Sequence, residues 1–236
     1  MLQDPRTINL SGVNCYLLRT GDGFVLIDTG LAAKRAELVR QLAVAGCAPG
    51  NLRQVILTHG DVDHAGNCAY LRAMFGAQIA MHCGDAGMVE HGDMSWNRKT
   101  KPDKITVMGR LLVKMGGMVV RFSGAQGSVD TFSPVILLGD GQHLSGHGLD
   151  AIVRQIPGHS KGSIGIITAS GALFCGDFLM NMLRPAPHFM IDDLGDFDAS
   201  LAKLRSFSVG IVYPGHGKPF PMAVLAGKHR YCEGDQ

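Results

Sequence analysis

Four ionisable side chains lie within the short stretch THGDVDHAG at residues 58–66. They are His59, Asp61, Asp63 and His64, and their spacing is H-x-D-x-D-H. Neutral imidazole nitrogens and carboxylate oxygens are the ligands that Zn²⁺, Fe and Mn²⁺ take from proteins. Packing so many polar groups together without a metal would be costly. The stretch therefore predicts a metal site.

Three further candidate ligands occur later in the chain, each where a predicted strand ends. His159 follows AIVRQIPG, Asp177 follows LFCG and His216 follows IVYPG. Strand ends meet at one rim of a sheet, where sites are commonly built. With the four residues of the loop they make seven candidate ligands, enough for two metals and a bridging group. The sequence therefore predicts a site for two divalent ions.

The segments that carry these residues alternate between predicted strands and predicted helices. Two β-rich runs at 13–19 and 24–28 are joined by Gly21-Asp22-Gly23, which predicts a hairpin. Helix-forming residues at helical spacing predict helices at 32–45, 68–75 and 197–207. Further strands are predicted at 55–57, 79–82, 135–138, 151–156, 164–168, 172–175 and 210–213. This order favours two α/β halves whose sheets pack face to face with helices outside.

Taken together, these motifs resemble those of the metallo-β-lactamase fold superfamily. The resemblance rests on the Asp28-Thr29-Gly30 turn, the THGDVDHAG loop, PGHSKGSIG at 157–165, FCGDFL around Asp177 and YPGHGKP at 213–219. The pieces come in the family's order and cover nearly the whole chain. The resemblance implies an α/β fold, an αββα sandwich of two mixed β-sheets, in a single domain over residues 1–236.

The resemblance also assigns the candidate ligands to two metals. It implies two groups of three joined by one bridging carboxylate: His59, Asp61 and His159; Asp63, His64 and His216; and Asp177. A water or hydroxide between the ions would attack the substrate. Two close cations lower the pKa of such a water and hold an oxyanion, and Asp63 can orient the nucleophile or accept its proton.

Asp61 departs from the family pattern, because most members have histidine there. With Asp63 and Asp177 it places three negative charges against the four positive charges of two divalent ions. The extra carboxylate makes the site harder and less electrophilic. By ligand type it favours Fe or Mn relative to Zn.

Four other residues are weaker candidates for the site. Asp28 is expected to orient a ligand or to serve the turn alone. Lys161 and Ser163 follow His159 closely and could contact an anionic substrate. His188 follows Arg-Pro-Ala-Pro and could line the mouth of a pocket. Cys175 is expected to pack in the core rather than to bind metal.

Between the two halves lies a Met-rich segment at about 84–133, for which one or two helices are predicted within 105–122. It either packs on the core as a helical insert or forms a lid over the site. A membrane-surface segment is a third alternative. Because Met-rich surfaces adapt to apolar ligands, a lid would imply a substrate with an apolar portion.

Composition limits the partners. The net charge is +2 and charged residues make up 18%, so no nucleic-acid partner is expected; the basic run at 98–101 is typical of a solvated loop. No apolar run is long enough to predict stable membrane insertion, and no signal peptide is apparent. Six cysteines without a CxxC pair predict reduced thiols and a cytoplasmic protein. The oligomeric state is left open.

These features favour a metal-dependent hydrolase that acts on a small-molecule ester, thioester or lactone. An iron-dependent oxidoreductase or dioxygenase-like member of the same superfamily is one alternative. A non-catalytic metal-binding or ligand-sensing protein is another, and it predicts bound metals without turnover.

Overall fold

A computed structural model describes residues 4–106 and 130–225 of the chain. Within those ranges it contains fourteen strands and five α-helices. The strands are β1 (Arg6–Leu10), β2 (Val13–Thr20), β3 (Gly23–Ile27), β4 (Leu52–Ile56), β5 (Gln78–His82), β6 (Lys104–Ile105), β7 (Ile136–Leu138), β8 (Ala151–Gln155), β9 (Ile164–Thr168), β10 (Ala172–Asn181), β11 (Ala186–Pro187), β12 (Met190–Ile191), β13 (Ile211–Gly217) and β14 (Phe220–Pro221). The helices are α1 (Arg35–Val44), α2 (Val62–Ala65), α3 (Cys68–Phe75), α4 (Ala86–His91) and α5 (Leu194–Arg205), with 3-10 turns at Ala32–Lys34, Cys83–Asp85, Ser145–His147 and Met222–Leu225.

Most of the strands follow one hydrogen-bonded path, in the order β7-β5-β4-β3-β2-β13-β10-β9-β8. The hairpin predicted around Gly21-Asp22-Gly23 is confirmed, since β2 and β3 pair antiparallel on either side of it. Parallel pairs β3–β4 and β4–β5 extend the first half, and antiparallel pairs β8–β9 and β9–β10 form the second. The halves join where His216 of β13 pairs with Val13 of β2. A predicted ligand therefore lies on the seam between the two halves.

Three apolar clusters show the layers of the fold. One packs α1 and α3 against the outer face of the first half, with Leu38, Leu42 and Leu71 fully buried. A second fills the space between the halves, where Tyr16 contacts Phe174. The third packs α5 on the second half through Phe197 and its neighbours. Helix, sheet, sheet and helix thus follow one another, and the predicted αββα sandwich is confirmed.

Two predicted ligands lie within strands rather than after them. Strand β10 runs through Asp177, and β13 runs through His216, because the two strands pair in parallel along their length. The pairing shifts register at Gly176, whose φ is +50°. A Cβ at this position would overlap the Thr58 hydroxyl, so a glycine is required there. The bulge redirects the backbone immediately before Asp177.

The Met-rich segment is described only at its two ends. Its first part contains α4, and β6 pairs with β12 in a separate two-stranded sheet. The helices predicted within 105–122 fall almost wholly outside the described residues. Among the helices that the structure describes, none is long and apolar enough to span a bilayer. The five cysteines within the described ranges are all free thiols.

Candidate metal centre

The seven candidate ligands converge on one spot at the seam of the two halves. His59, Asp61 and His159 place one ligand atom each within 4.8 Å of one another. The ligand atoms of the remaining four residues also lie within 4.8 Å of one another: Asp63, His64, Asp177 and His216. The groups adjoin, since His59 Nε2 lies 4.0 Å from Asp177 Oδ2. The arrangement has the shape of two neighbouring sites with one carboxylate between them.

Five elements or loops, two of them adjacent in the THGDVDHAG stretch, bring these side chains together. The loop after β4 carries His59 and Asp61, and the single turn of α2 carries Asp63 and His64. The loop after β8 carries His159, while Asp177 and His216 lie on the paired strands β10 and β13. Close packing at the centre depends on Gly215, where a Cβ would overlap Asp177 Oδ1 and press on His64. The ligand set is therefore a product of tertiary packing as well as of the loop motif.

Each histidine of the set is held at Nδ1 by a protein group. His59 Nδ1 lies 3.0 Å from the Thr58 hydroxyl, and His64 Nδ1 lies 2.9 Å from Asp28 Oδ2. His159 Nδ1 donates to the Met190 carbonyl at 3.1 Å, and His216 Nδ1 to the Gly12 carbonyl at 2.9 Å. Partners of this kind fix the ring and its tautomer in metal sites. All four Nε2 atoms are thereby left to face the centre.

Asp28 contacts the centre through His64 rather than directly. Its carboxylate accepts hydrogen bonds from the Thr58 amide at 2.9 Å and the Thr58 hydroxyl at 2.8 Å, in addition to its contact with His64. The residue is 1% exposed and has a φ of +58°, a value uncommon for a side chain other than glycine. One carboxylate thus ties the turn after β3 to both histidines of the loop.

The centre stabilises positive charge. Burial alone would raise the pKa of Asp177, but the imidazoles of His216 and His188 outweigh it and hold that pKa well below its usual range. Burial lowers the pKa of His216, yet Asp177 overcomes this and raises it to about 10. Burial likewise opposes ionisation of Asp63, whose pKa is nevertheless lowered, chiefly by His64. The carboxylates are therefore ionised and draw cations toward them.

Asp61 has a partner that the sequence did not suggest. Arg98 Nη2 lies 2.9 Å from Asp61 Oδ1, and the two side chains are 12% and 14% exposed. Asp61 Oδ2 remains turned toward His159 Nε2, at 3.1 Å. The basic run at 98–101 was expected to be solvated, and for Arg98 this is wrong. The positive charge of Arg98 offsets the negative charge of Asp61. The pair therefore adds no net charge to the centre, as a neutral histidine at position 61 would.

His188 lies inside the centre rather than at a pocket mouth. The side chain is 4% exposed, and its Nε2 is 3.2 Å from Asp177 Oδ2. It forms a third ligand group with His159 and Asp177. Burial lowers its pKa to about 3, so the ring is neutral. The Pro-rich stretch before it was the only sequence signal for this position.

Asp85 organises the loops around the centre and was missed by sequence analysis. It is fully buried and accepts hydrogen bonds from the Gly60 amide, the Gly162 amide and the Ser160 hydroxyl at 2.6–3.1 Å. It thereby joins the loop of His59 to the loop of His159. Ser163 belongs to the same network, since its hydroxyl lies 2.7 Å from that of Ser160.

Two other residues named from the sequence lie away from the ligand atoms. Lys161 is exposed on the loop of His159, and it is absent from the three ligand groups of the described chain. Cys175 is 1% exposed and packs in the apolar cluster beneath α5. Burial raises the pKa of its thiol to about 12, which keeps it protonated.

The residues present fit a pair of divalent metal ions. His59 Nε2, His64 Nε2, His188 Nε2 and Asp177 Oδ1 are buried without a hydrogen-bond partner, although each faces other polar atoms across 3–4 Å. Buried polar atoms are ordinarily paired. Cations between these atoms would satisfy all of them at once, and the mixed nitrogen and oxygen set suits Zn²⁺, Fe²⁺ or Mn²⁺.

A cavity of about 290 Å³ opens beside His159. Met94, Pro102 and Met190 supply apolar surface, and Arg98 and Asp192 lie at its polar side. Burial raises the pKa of Asp192 above its usual value. The cavity gives a small molecule with an apolar part a place next to the ligand atoms.

Comparison with known proteins agrees with this geometry. The family model described as the metallo-beta-lactamase superfamily matches residues 8–216. A probable metallo-hydrolase of Bacillus subtilis is 28% identical over 91% of this chain and 70% of its own. A hydroxyacylglutathione hydrolase of Anaeromyxobacter dehalogenans is 30% identical over 70% of this chain, which spans 45% of that relative. A protein crystallised in a di-iron-bound form superposes with a TM-score of 0.65 at 25% identity, over 95% of this chain and 98% of its own.

Proposed function

The chain belongs to the metallo-beta-lactamase superfamily, and we propose that it hydrolyses a small-molecule ester, thioester or lactone with the help of two divalent metal ions. The observation that carries the proposal is the convergence of seven ligand-type side chains from five elements or loops. Among the three substrate classes a thioester is favoured, because the 30% identical relative is named as a hydrolase of hydroxyacylglutathione.

The ligand groups divide the work of the site. Two bound divalent ions would lower the pKa of a water and polarise the substrate carbonyl. His59, Asp61 and His159 would hold one ion. Asp63, His64 and His216 would hold the second ion, and Asp177 would face both. Asp63 is the most accessible of the three carboxylates, with 30% of its side chain exposed. Because it is ionised, it can accept the proton of an attacking water.

The cavity beside His159 supports the proposal that the substrate has an acyl group with an apolar chain. Met94 and Met190 offer flexible surface that adapts to such a group. Met94 and Arg98 both come from the segment at 84–133, so this segment contributes to the cavity as well as to the charge balance. The described part of this segment, which supplies Met94 and Arg98, therefore borders the proposed acyl site.

The first experiment is metal analysis of protein purified without added metal, followed by a panel of esters, thioesters, lactones and phosphodiesters under Zn²⁺, Mn²⁺ and Fe²⁺. We expect turnover of an acyl substrate. Asp177→Ala should lose metal and turnover together, while Asp150→Ala, which removes an exposed carboxylate, should lose neither. Full activity of Asp177→Ala would contradict the proposal.

An iron-dependent oxidoreductase is the second candidate, supported by the structural neighbour that was crystallised with two irons. Elemental analysis and an anaerobic absorption spectrum separate the two. Stoichiometric zinc without visible absorption removes the oxidoreductase. Iron with an oxygen-sensitive spectrum, together with no hydrolysis across the panel, favours it.

A further inference from the structure

His188 is a buried imidazole that no motif of the sequence assigned to a metal. It lies between β11 and β12, and its Nε2 approaches Asp177 Oδ2 to 3.2 Å. This contact is not a well-formed hydrogen bond, and the Nε2 atom is left without a partner among the described residues. A nitrogen so deeply buried and so close to a carboxylate requires an explanation.

The ring of His188 is held so that Nε2 points into the centre. Its Nδ1 lies 3.4 Å from the Met190 carbonyl, the same oxygen that accepts from His159 Nδ1. Its ring meets that of His159 edge-on at 4.8 Å and stacks on that of His216 at 5.7 Å. With the proton on Nδ1, the Nε2 lone pair faces a carboxylate oxygen. Two acceptors at this separation are compatible when a cation lies against both.

The group of His59, Asp61 and His159 has a place for another imidazole. Asp61 stands where most of the superfamily has histidine, and one of its oxygens is already taken by Arg98. His159, Asp177 and His188 meanwhile have ligand atoms within 4.8 Å of one another. The geometry points to His188 as a further ligand of the ion held by His59 and His159, supplying from a distant segment the imidazole that position 61 lacks. This inference rests on the proposed metal centre.

The extra ligand changes which metal the position prefers. His188 would add a nitrogen donor to those of His59, Asp61 and His159, and it shares a candidate ligand group with His159 and Asp177. Zinc in proteins is commonly four-coordinate, whereas a position with more nitrogen and oxygen donors than that suits Fe²⁺ or Mn²⁺ better. We therefore expect this position to discriminate against Zn²⁺ more strongly than its neighbour does.

The test is proton NMR of the full chain loaded with Co²⁺, in which each imidazole bound to the metal gives a strongly shifted, exchangeable N–H signal. The wild-type protein should show five such signals, one for each histidine in the ligand groups. Four signals would overturn the inference. This count needs no variant, so it does not depend on whether a substituted protein folds.

Variants identify which histidine gives the fifth signal. His188→Ala should show four signals, stronger visible Co²⁺ bands because the coordination number falls, and metal affinity lower by about 100-fold at one position. Added imidazole should return the Co²⁺ bands of this variant to the wild-type intensity. His91→Ala, which removes an exposed imidazole packed at a tilt against Trp96, should behave as wild type. Five signals in His188→Ala would overturn the inference.

These readouts are separate from turnover. A wild-type protein that binds Co²⁺ with five imidazoles but hydrolyses nothing in the panel would end the proposed function and sustain the role of His188. A protein that hydrolyses its substrate with four bound imidazoles would sustain the proposed function and overturn the role of His188. A protein that binds no metal would overturn both.

Discussion

Arg98 Nη2 lies 2.9 Å from Asp61 Oδ1, across a contact that is largely shielded from water. The pair joins the segment after α4 to the loop after β4. The charge of the Asp61 carboxylate is thereby offset by a cation from elsewhere in the chain. Substitutions at these two positions should be strongly coupled.

We first predict that Arg98→Ala weakens metal binding at the position of Asp61. Without the guanidinium, a carboxylate beside two other carboxylates lacks its cation and its orientation. We expect metal affinity to fall by about 10- to 100-fold, as for loss of a residue that supports a ligand. Metal content after gel filtration and kcat are the measurements. Lys101→Ala, from the exposed end of the same basic run, is the control.

The second prediction concerns the coupling itself. Asp61→His should impair the protein by leaving Arg98 as an unpaired, mostly buried cation next to the metals. Adding Arg98→Ala to Asp61→His should recover part of the lost metal occupancy. Metal titration of the two single variants and the double variant completes the cycle. Additive losses would show that Arg98 acts independently of Asp61.

The third prediction is that Asp28→Asn weakens metal binding without distorting the turn. Asparagine tolerates the positive φ of this position, but its amide has one oxygen where Asp28 uses two to meet Thr58 and His64. We expect a 10- to 100-fold loss of metal affinity, by order of magnitude. Isothermal titration measures it. The exposed Asp22→Asn serves as control, and equal affinities would assign Asp28 to the turn alone.

The fourth prediction is that Asp85→Asn destabilises the fold around the site. Asp85 accepts three hydrogen bonds from two loops while fully buried. An amide in its place turns a donor toward donors, and we expect the free energy of unfolding to fall by about 2 kcal/mol. Urea unfolding measures this change. The exposed Glu90→Gln should leave the unfolding midpoint in place.

The fifth prediction addresses the cavity. Met94→Ser and Met190→Ser should raise KM for a long-chain acyl substrate by about 10-fold and leave KM for an acetyl substrate nearly unchanged, because apolar contact is lost. Met74→Ser, at an exposed methionine of α3, is the control. Equal effects on both substrates would count against an apolar acyl site.

The sequence by itself predicted the main elements and seven candidate ligands. Helical spacing predicted α1 and α3, the Gly-Asp-Gly turn predicted the β2–β3 hairpin, and the predicted ligands from the loop, β10 and β13 do converge. These features are local, because turns, helical periodicity and strand ends depend on residues that are close together in the sequence. The family resemblance then indicates how the elements follow one another.

Only the tertiary structure decided the partners of those ligands. Arg98 belonged to what looked like a solvated basic run, His188 to a proline-rich stretch, and Asp85 to no motif at all. Asp85 contacts residues 25 and 77 positions away, Arg98 meets Asp61 across 37 positions, and His188 approaches Asp177 across 11. Such contacts arise because two halves close on each other and exclude water from whatever side chains meet there. The identity of Asp61 was visible in the sequence; that its charge is offset was decided by packing.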